Sequence, residues 1–159
     1  VTHSEADTAD YGLRFVLVAF GPGGVTEVAR SRGMADSEWL EPVFFGDGDC
    51  QFVLADTGAE TSWGLEAFRL CHDSLTALGP INVSLPAGDA STEVAENPLP
   101  FARMRRDSSG VVVEFGTDLV LWITDPSTRA VHDSIVNMEE GRPITFRLAG
   151  GSFHRMGRE

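Results

Sequence analysis

Apolar positions recur along this chain in two rhythms, and each rhythm predicts a different element. "GLRFVLVAF", Gly12–Phe20, is rich in β-branched and aromatic residues and stops at the breaker "GPGG", which predicts a strand. "VTEVARSR", Val25–Arg32, fits a strand by its alternation and a short helix by its Ala and Arg content. "PVFFGDGDCQFVLAD" predicts a hairpin turning at "FGDGD", with strands at Val43–Phe45 and Gln51–Ala55. The rhythm then changes. In "TSWGLEAFRLCHDSLTALG", Leu65, Phe68, Cys71, Leu75 and Leu78 recur at intervals of three and four, which predicts an amphipathic helix. Thr61 or Ser62 can cap its start and Gly79 can end it. Beyond it the pattern predicts a short strand at Ile81–Leu85 and a long polar connection, "AGDASTEVAENPLP". Next come two strands, "FARMRRD" and "GVVVEFG", joined at Ser108–Gly110, and a further strand at "DLVLWIT". A second helix is expected over "DPSTRAVHDSIVNM", with Asp125 as N-cap and Pro126 at the first helical position. "PITFRLAGGSFHRMG" supplies a last strand and room for one more.

Two hexapeptides tie these elements together. "RLCHDS", Arg69–Ser74, and "RAVHDS", Arg129–Ser134, lie 60 residues apart. The match extends to "FGDGDCQFVLAD" against "FGTDLVLWITD" before the helices, and to "GPINVSL" against "GRPITFRL" after them. The expected fold class is therefore α+β: an internally duplicated antiparallel sheet unit braced by one helix, ββββα twice. It forms a single domain over residues 1–159, with 1–10 disordered, half-repeats at 11–79 and 80–141, and a C-terminal strand extension at 142–159. Leu75 and Ile135 should then be buried at equivalent places.

Duplication gives the His-Asp pairs a scaffold reading. His72 and His132 fall beside the apolar stripes, while Arg69 with Asp73 and Arg129 with Asp133 form i,i+4 surface pairs. A metal site shared by His72 and His132 is the competing reading. The remaining histidines, His3 and His154, stand near the ends. No Gly-x-Ser-x-Gly elbow is present. "FGPGG" lacks the spacing of a phosphate loop, and "DGD" at Asp47–Asp49 lacks the further ligands of a calcium loop. Cys71 reads as a core thiol and Cys50 as a packed strand residue; no Cys-x-x-Cys spacing points to zinc. No catalytic, cofactor-binding or metal-binding residue is assigned.

Charge narrows the partners. The chain carries 24 acidic residues against 12 basic ones, all arginine, for a net charge of −12. Its one basic cluster is Arg103, Arg105 and Arg106, followed by Asp107, which gives no continuous track for a nucleic-acid backbone. The longest apolar run, Phe15–Phe20, falls far short of the roughly 18 residues of a membrane span. The polar, acidic start "VTHSEADTAD" lacks the pattern of a signal peptide, which leads to the expectation of a cytoplasmic address.

"PVFFGDGDCQFVLADTGAETSW", Pro42–Trp63, "SLPAG", and "GVVVEFGTDLVLWITDPSTRAVHDSIV", Gly110–Val136, resemble segments of the SsgA-like sporulation and cell-division family of filamentous actinobacteria, which has a whirly-type duplicated fold. Departures are a longer 86–100 loop, Arg directly after Phe in "EAFRLCHDSL", and a strand-like ending. The resemblance implies a non-enzymatic regulator or adaptor in septum positioning, a homo-oligomer, and the division machinery as protein partner. Two alternatives stand beside it. One is a small-molecule-binding or cyclase-like protein with Trp39, Trp63 and Trp122 lining a cavity. The other is an acidic immunity-type inhibitor of a basic toxin.

Overall fold

A computed structural model describes residues 14–33, 41–59, 62–83, 91–94, 97–116, 120–124, 131–135 and 143–157. Among them are strands β1 (Val16–Gly21), β2 (Gly24–Arg30), β3 (Val43–Asp47), β4 (Cys50–Ala59), β5 (Ser62–Cys71), β6 (Ser74–Ile81) and β7 (Ser91–Val94). After a single 3-10 turn at Leu99–Phe101 come β8 (Ala102–Asp107), β9 (Gly110–Phe115), β10 (Val120–Thr124), β11 (Val131–Ile135), β12 (Ile144–Ala149) and β13 (Ser152–Arg155). No α-helix occurs among the described residues, and so none long and apolar enough to cross a membrane.

Four antiparallel sheets result, ordered β1-β2, β3-β4-β5-β6, β13-β12-β9-β8 and β11-β10-β7. The principal core lies between the two four-stranded sheets. Phe52, Leu54, Leu65, Ala67, Leu78 and Ile81 from one meet Val111, Val113, Phe115, Ile144, Phe146 and Phe153 from the other. Phe115 and Phe146 meet edge to face, with centroids 5.9 Å apart. The β3–β6 sheet buries its second face as well: Val53, Ala55 and Phe68 are covered by Phe15, with Leu75 partly buried beside them.

The α+β expectation is therefore overturned, and burial on both faces explains why. The expected helix at 61–79 is the hairpin β5–β6, turning at His72–Asp73. Its five apolar positions do not form one stripe. Leu65 and Leu78 enter the principal core, Phe68 and Leu75 face the other way, and Cys71 bonds to Cys50. A bulge at Leu78 beside Gly79, whose φ is 87°, shifts the register. The intervals of three within each strand join residues on opposite faces, and the interval of four spans the two-residue turn. Strands buried on both faces lose their polar alternation, so periodicity alone does not separate them from a helix.

The duplicated ββββα plan falls with the helices. "RLCHDS" spans the end of β5, a turn and the start of β6, whereas the described part of "RAVHDS", residues 131–134, lies inside β11. Phe45 and the strand after it pair within one sheet, while Phe115 and β10 belong to different sheets. β6 runs across the expected 79/80 boundary between halves, and residues 1–10 lie outside the described residues. Val25–Arg32, open between strand and helix in the sequence, is strand β2 over Gly24–Arg30.

Candidate functional site

β1 and β2 form a two-stranded arm whose sequence leaves it half anchored and half bare. At its base, the Phe15 N–H donates to Ser31 Oγ at 3.0 Å, and the Ser31 N–H donates to the Phe15 carbonyl at 2.9 Å. Phe15 also presses edge to face on Phe68, with centroids 5.3 Å apart. The Arg32 guanidinium reaches the buried Glu66 carboxylate on β5 at 2.8 Å. These contacts satisfy polar groups at the point where the chain leaves the β3–β6 sheet.

Beyond that base the face of the arm that carries Val16, Val18 and Phe20 is exposed. Pairing runs from Val16↔Arg30 to Gly21↔Gly24 around the Pro22–Gly23 loop, with a bulge at Val28 on β2. Val16, Val18 and Phe20 share one face by strand alternation, and Val25 and Glu27 lie opposite Phe20 and Val18 on it. Phe20 is 82% exposed and Val25 62% exposed. Residues 15–26 carry no charged side chain at all. The first charge after them is Glu27, midway along β2, which Arg30 at the base grips through two hydrogen bonds of 2.6 and 2.7 Å, thereby holding its carboxyl below the ordinary range. Phe44, 57% exposed, adds a further aromatic on the same outer face of the β3–β6 sheet as Val53, its cross-strand partner.

The residues singled out from sequence are placed as follows, as far as the described residues reach. His72 and Asp73 are the exposed loop of β5–β6, and His72 carries a φ of 50°. His132 and Asp133 lie in β11 opposite Ile123 and Trp122; their side chains are outside the described residues, as are those of Trp63 and Trp122 and all of Trp39 and Arg129. Arg69 does not take up the expected helical pairing with Asp73. Its guanidinium stands 5.9 Å over the Phe52 ring and 3.4 Å from Cys50 Sγ. Among the described residues no cluster of three or more His, Cys, Asp or Glu is placed to hold a metal ion.

Two of the three arginines of the basic cluster pair with carboxylates. Arg105 pairs with Glu114 at 2.6 Å, and Arg106 pairs with Asp47 across the two sheets. Arg147 reaches Asp107 at 3.1 Å. The Ser109 N–H, helped by Arg147 and Arg105, keeps the Asp107 carboxyl below its usual range. Exposed pairs like these contribute little to stability, but they remove free positive charge from the surface.

The readings of Cys71 as a core thiol and Cys50 as merely packed are also corrected. The two residues sit directly opposite each other on β4 and β5, with Cα atoms 4.3 Å apart, and form a disulfide. Sequence spacing of 21 residues held no hint of this; only the strand register brings the sulfurs together. Beside them lies an open depression of about 380 Å³ lined by Gly46, Gly48, Asp49, Cys50, Gln51, Leu70 and His72. It is a shallow surface feature without an apolar interior, unlike a site built to enclose a small molecule. No protein-family model, curated protein or solved structure matches the chain.

Proposed function

We propose that this chain is a non-enzymatic binding module that engages another protein through the β1–β2 arm. The observation that carries this reading is the exposure of Phe20, Val16, Val18 and Val25 together on one face of the arm, whose charges there, Glu27 and Arg30, neutralise each other. Aromatic and β-branched side chains held out on an exposed hairpin are the chemistry of an interface centre. The acidic remainder, within a net charge of −12, disfavours non-specific association elsewhere. A septum-positioning role rests on the sequence resemblance alone, and the described parts of the helices expected there are strands; the proposal keeps only its general form, protein binding. Placing a photoreactive residue at position 20 in the source cell, with position 103 as an exposed control, tests it. A discrete protein adduct at 20 and none at 103 is expected. Equal labelling, or none, overturns the reading.

The compartment is part of the proposal. Cys50–Cys71 is more at home in an oxidising compartment than in the reducing cytoplasm expected from the N-terminal sequence. Alkylation of the protein in intact cells decides between them: thiols that react only after reduction support the oxidising compartment, and freely reacting thiols restore the cytoplasmic address.

A further inference from the structure

We infer that the partner seated on the arm is a second copy of this chain, joined edge to edge through β1; this rests on the arm being the binding surface. β1 has a partner on one side only among the described residues. Phe15 turns both its N–H and its C=O toward Ser31, so strand alternation turns the backbone groups of Val16, Val18 and Phe20 toward the open edge. That edge lacks the usual protection. Natural edge strands carry charge, proline or a bulge, yet β1 is uncharged and regular, and the bulge lies on β2. A lone pair of strands is marginal in water, whereas four strands with an apolar face are not.

The sequence of β1 is self-complementary in the way a two-fold interface requires. Antiparallel pairing of two copies with Val18 on the axis sets Val16 of each opposite Phe20 of the other and Leu17 opposite Ala19. Each pair joins a large side chain to a smaller one, and Phe20 on Val16 is a favourable aromatic–β-branched pair. The outward backbone groups of each copy meet outward groups of the other, and Pro22 falls just past the ladder, where it has no N–H to lose. Net charge opposes self-association at long range, but residues 15–26 bring no charge to the contact itself, so the selection of a second copy rests on this self-complementarity.

The test is analytical ultracentrifugation of the wild-type chain and Phe20→Asp, together with oxidation of Val18→Cys and Val25→Cys, all with Cys50 and Cys71 intact. The proposal expects a concentration-dependent dimer, dissociating at roughly 30-fold or higher concentration in Phe20→Asp, and rapid Val18→Cys cross-linking across the axis with little from Val25→Cys. The cross-link keeps the test valid should Phe20→Asp disorder the arm. A wild-type monomer without the Val18→Cys cross-link overturns the inference, as does a dimer indifferent to Phe20→Asp or one that links through Val25→Cys instead. In the first case a position-20 photo-adduct to a different protein would leave the binding-module reading standing, and absence of any adduct would remove both.

Discussion

Phe-Val-Leu occurs twice in this chain, with opposite fates. In β4, Phe52, Val53 and Leu54 are 2%, 4% and 0% exposed. In the arm, Phe15 and Leu17 are half-buried and Val16 is 37% exposed. The triplets share their local propensity. They differ in their neighbours: β4 has a strand on each side and a packed layer over each face, whereas among the described residues β1 pairs with one strand and packs on the core through Phe15. Burial here is a property of position in the sheet, and an apolar strand without that position is available for another chain.

The largest expected effect follows directly. Phe52→Ala removes a ring from the principal core and should cost about 3–5 kcal/mol. Phe20→Ala, measured at a concentration low enough to keep the protein monomeric, should stay within about 0.5 kcal/mol of wild type. Urea unfolding of the two variants decides it; comparable losses would mean that the arm belongs to the cooperative core and that the contrast is false.

The disulfide sharpens the contrast at the next level. Cys50–Cys71 pins β4 to β5 and closes a segment with a sequence separation of 21, so replacing both cysteines by serine should cost about 3 kcal/mol. The arm has no such tie. Amide exchange should quicken through β3–β6 in that variant while β1–β2 amides stay as they were; a matched change in the arm would show that the two regions open together.

Much of the strand plan was legible, and for a definite reason. Hairpins β3–β4, β8–β9 and β12–β13 each carry an exposed turn, at Gly48–Asp49, Ser108–Ser109 and Gly150–Gly151, between apolar runs. β5–β6 was read as helix because Leu65, Phe68, Leu75 and Leu78 serve two cores, and no single-face period describes them. The shared hexapeptides carried no architectural weight, since His-Asp-Ser is equally at home around a turn, at residues 72–74, and within β11, at residues 132–134. The Cys50–Cys71 bond follows from strand register, which one sequence does not specify. The arm's run from Phe15 to Phe20 was recognised as a strand, but its exposure depends on what fails to cover it.

Arg32 measures how firmly the two regions are joined. It spans from the arm's base to Glu66, whose side chain is only 4% exposed while that of Arg32 is 61% exposed. Arg32→Ala leaves a buried carboxylate without this guanidinium and should cost about 1–3 kcal/mol, the range for a deserted buried polar group. Glu66→Gln in the Arg32→Ala background should recover part of that by removing the charge. If Arg32→Ala is silent in thermal unfolding, the anchoring of the arm does not depend on the Arg32–Glu66 pair.

The smallest effects lie at the hairpin tips, where the comparison can be made without touching a core. The arm turns through Pro22–Gly23 into Gly24, whose φ is 111°; β5–β6 turns through His72 at a φ of 50°. An added Cβ at Gly24 meets nothing within 4 Å, so any penalty there comes from the backbone alone. A φ of 111° lies outside the left-handed region open to L-residues, and Gly24→Ala should cost about 1–3 kcal/mol of arm stability. His72 lies inside that region. Glycine there would relieve about 1 kcal/mol of local strain but add nearly as much unfolded-chain entropy, so His72→Gly should leave stability within about 0.5 kcal/mol of wild type. Local amide exchange near each tip reads both. A large loss in His72→Gly would mean that the imidazole supports the depression beside Cys50, and the second tip would then be built around its side chain instead of its backbone.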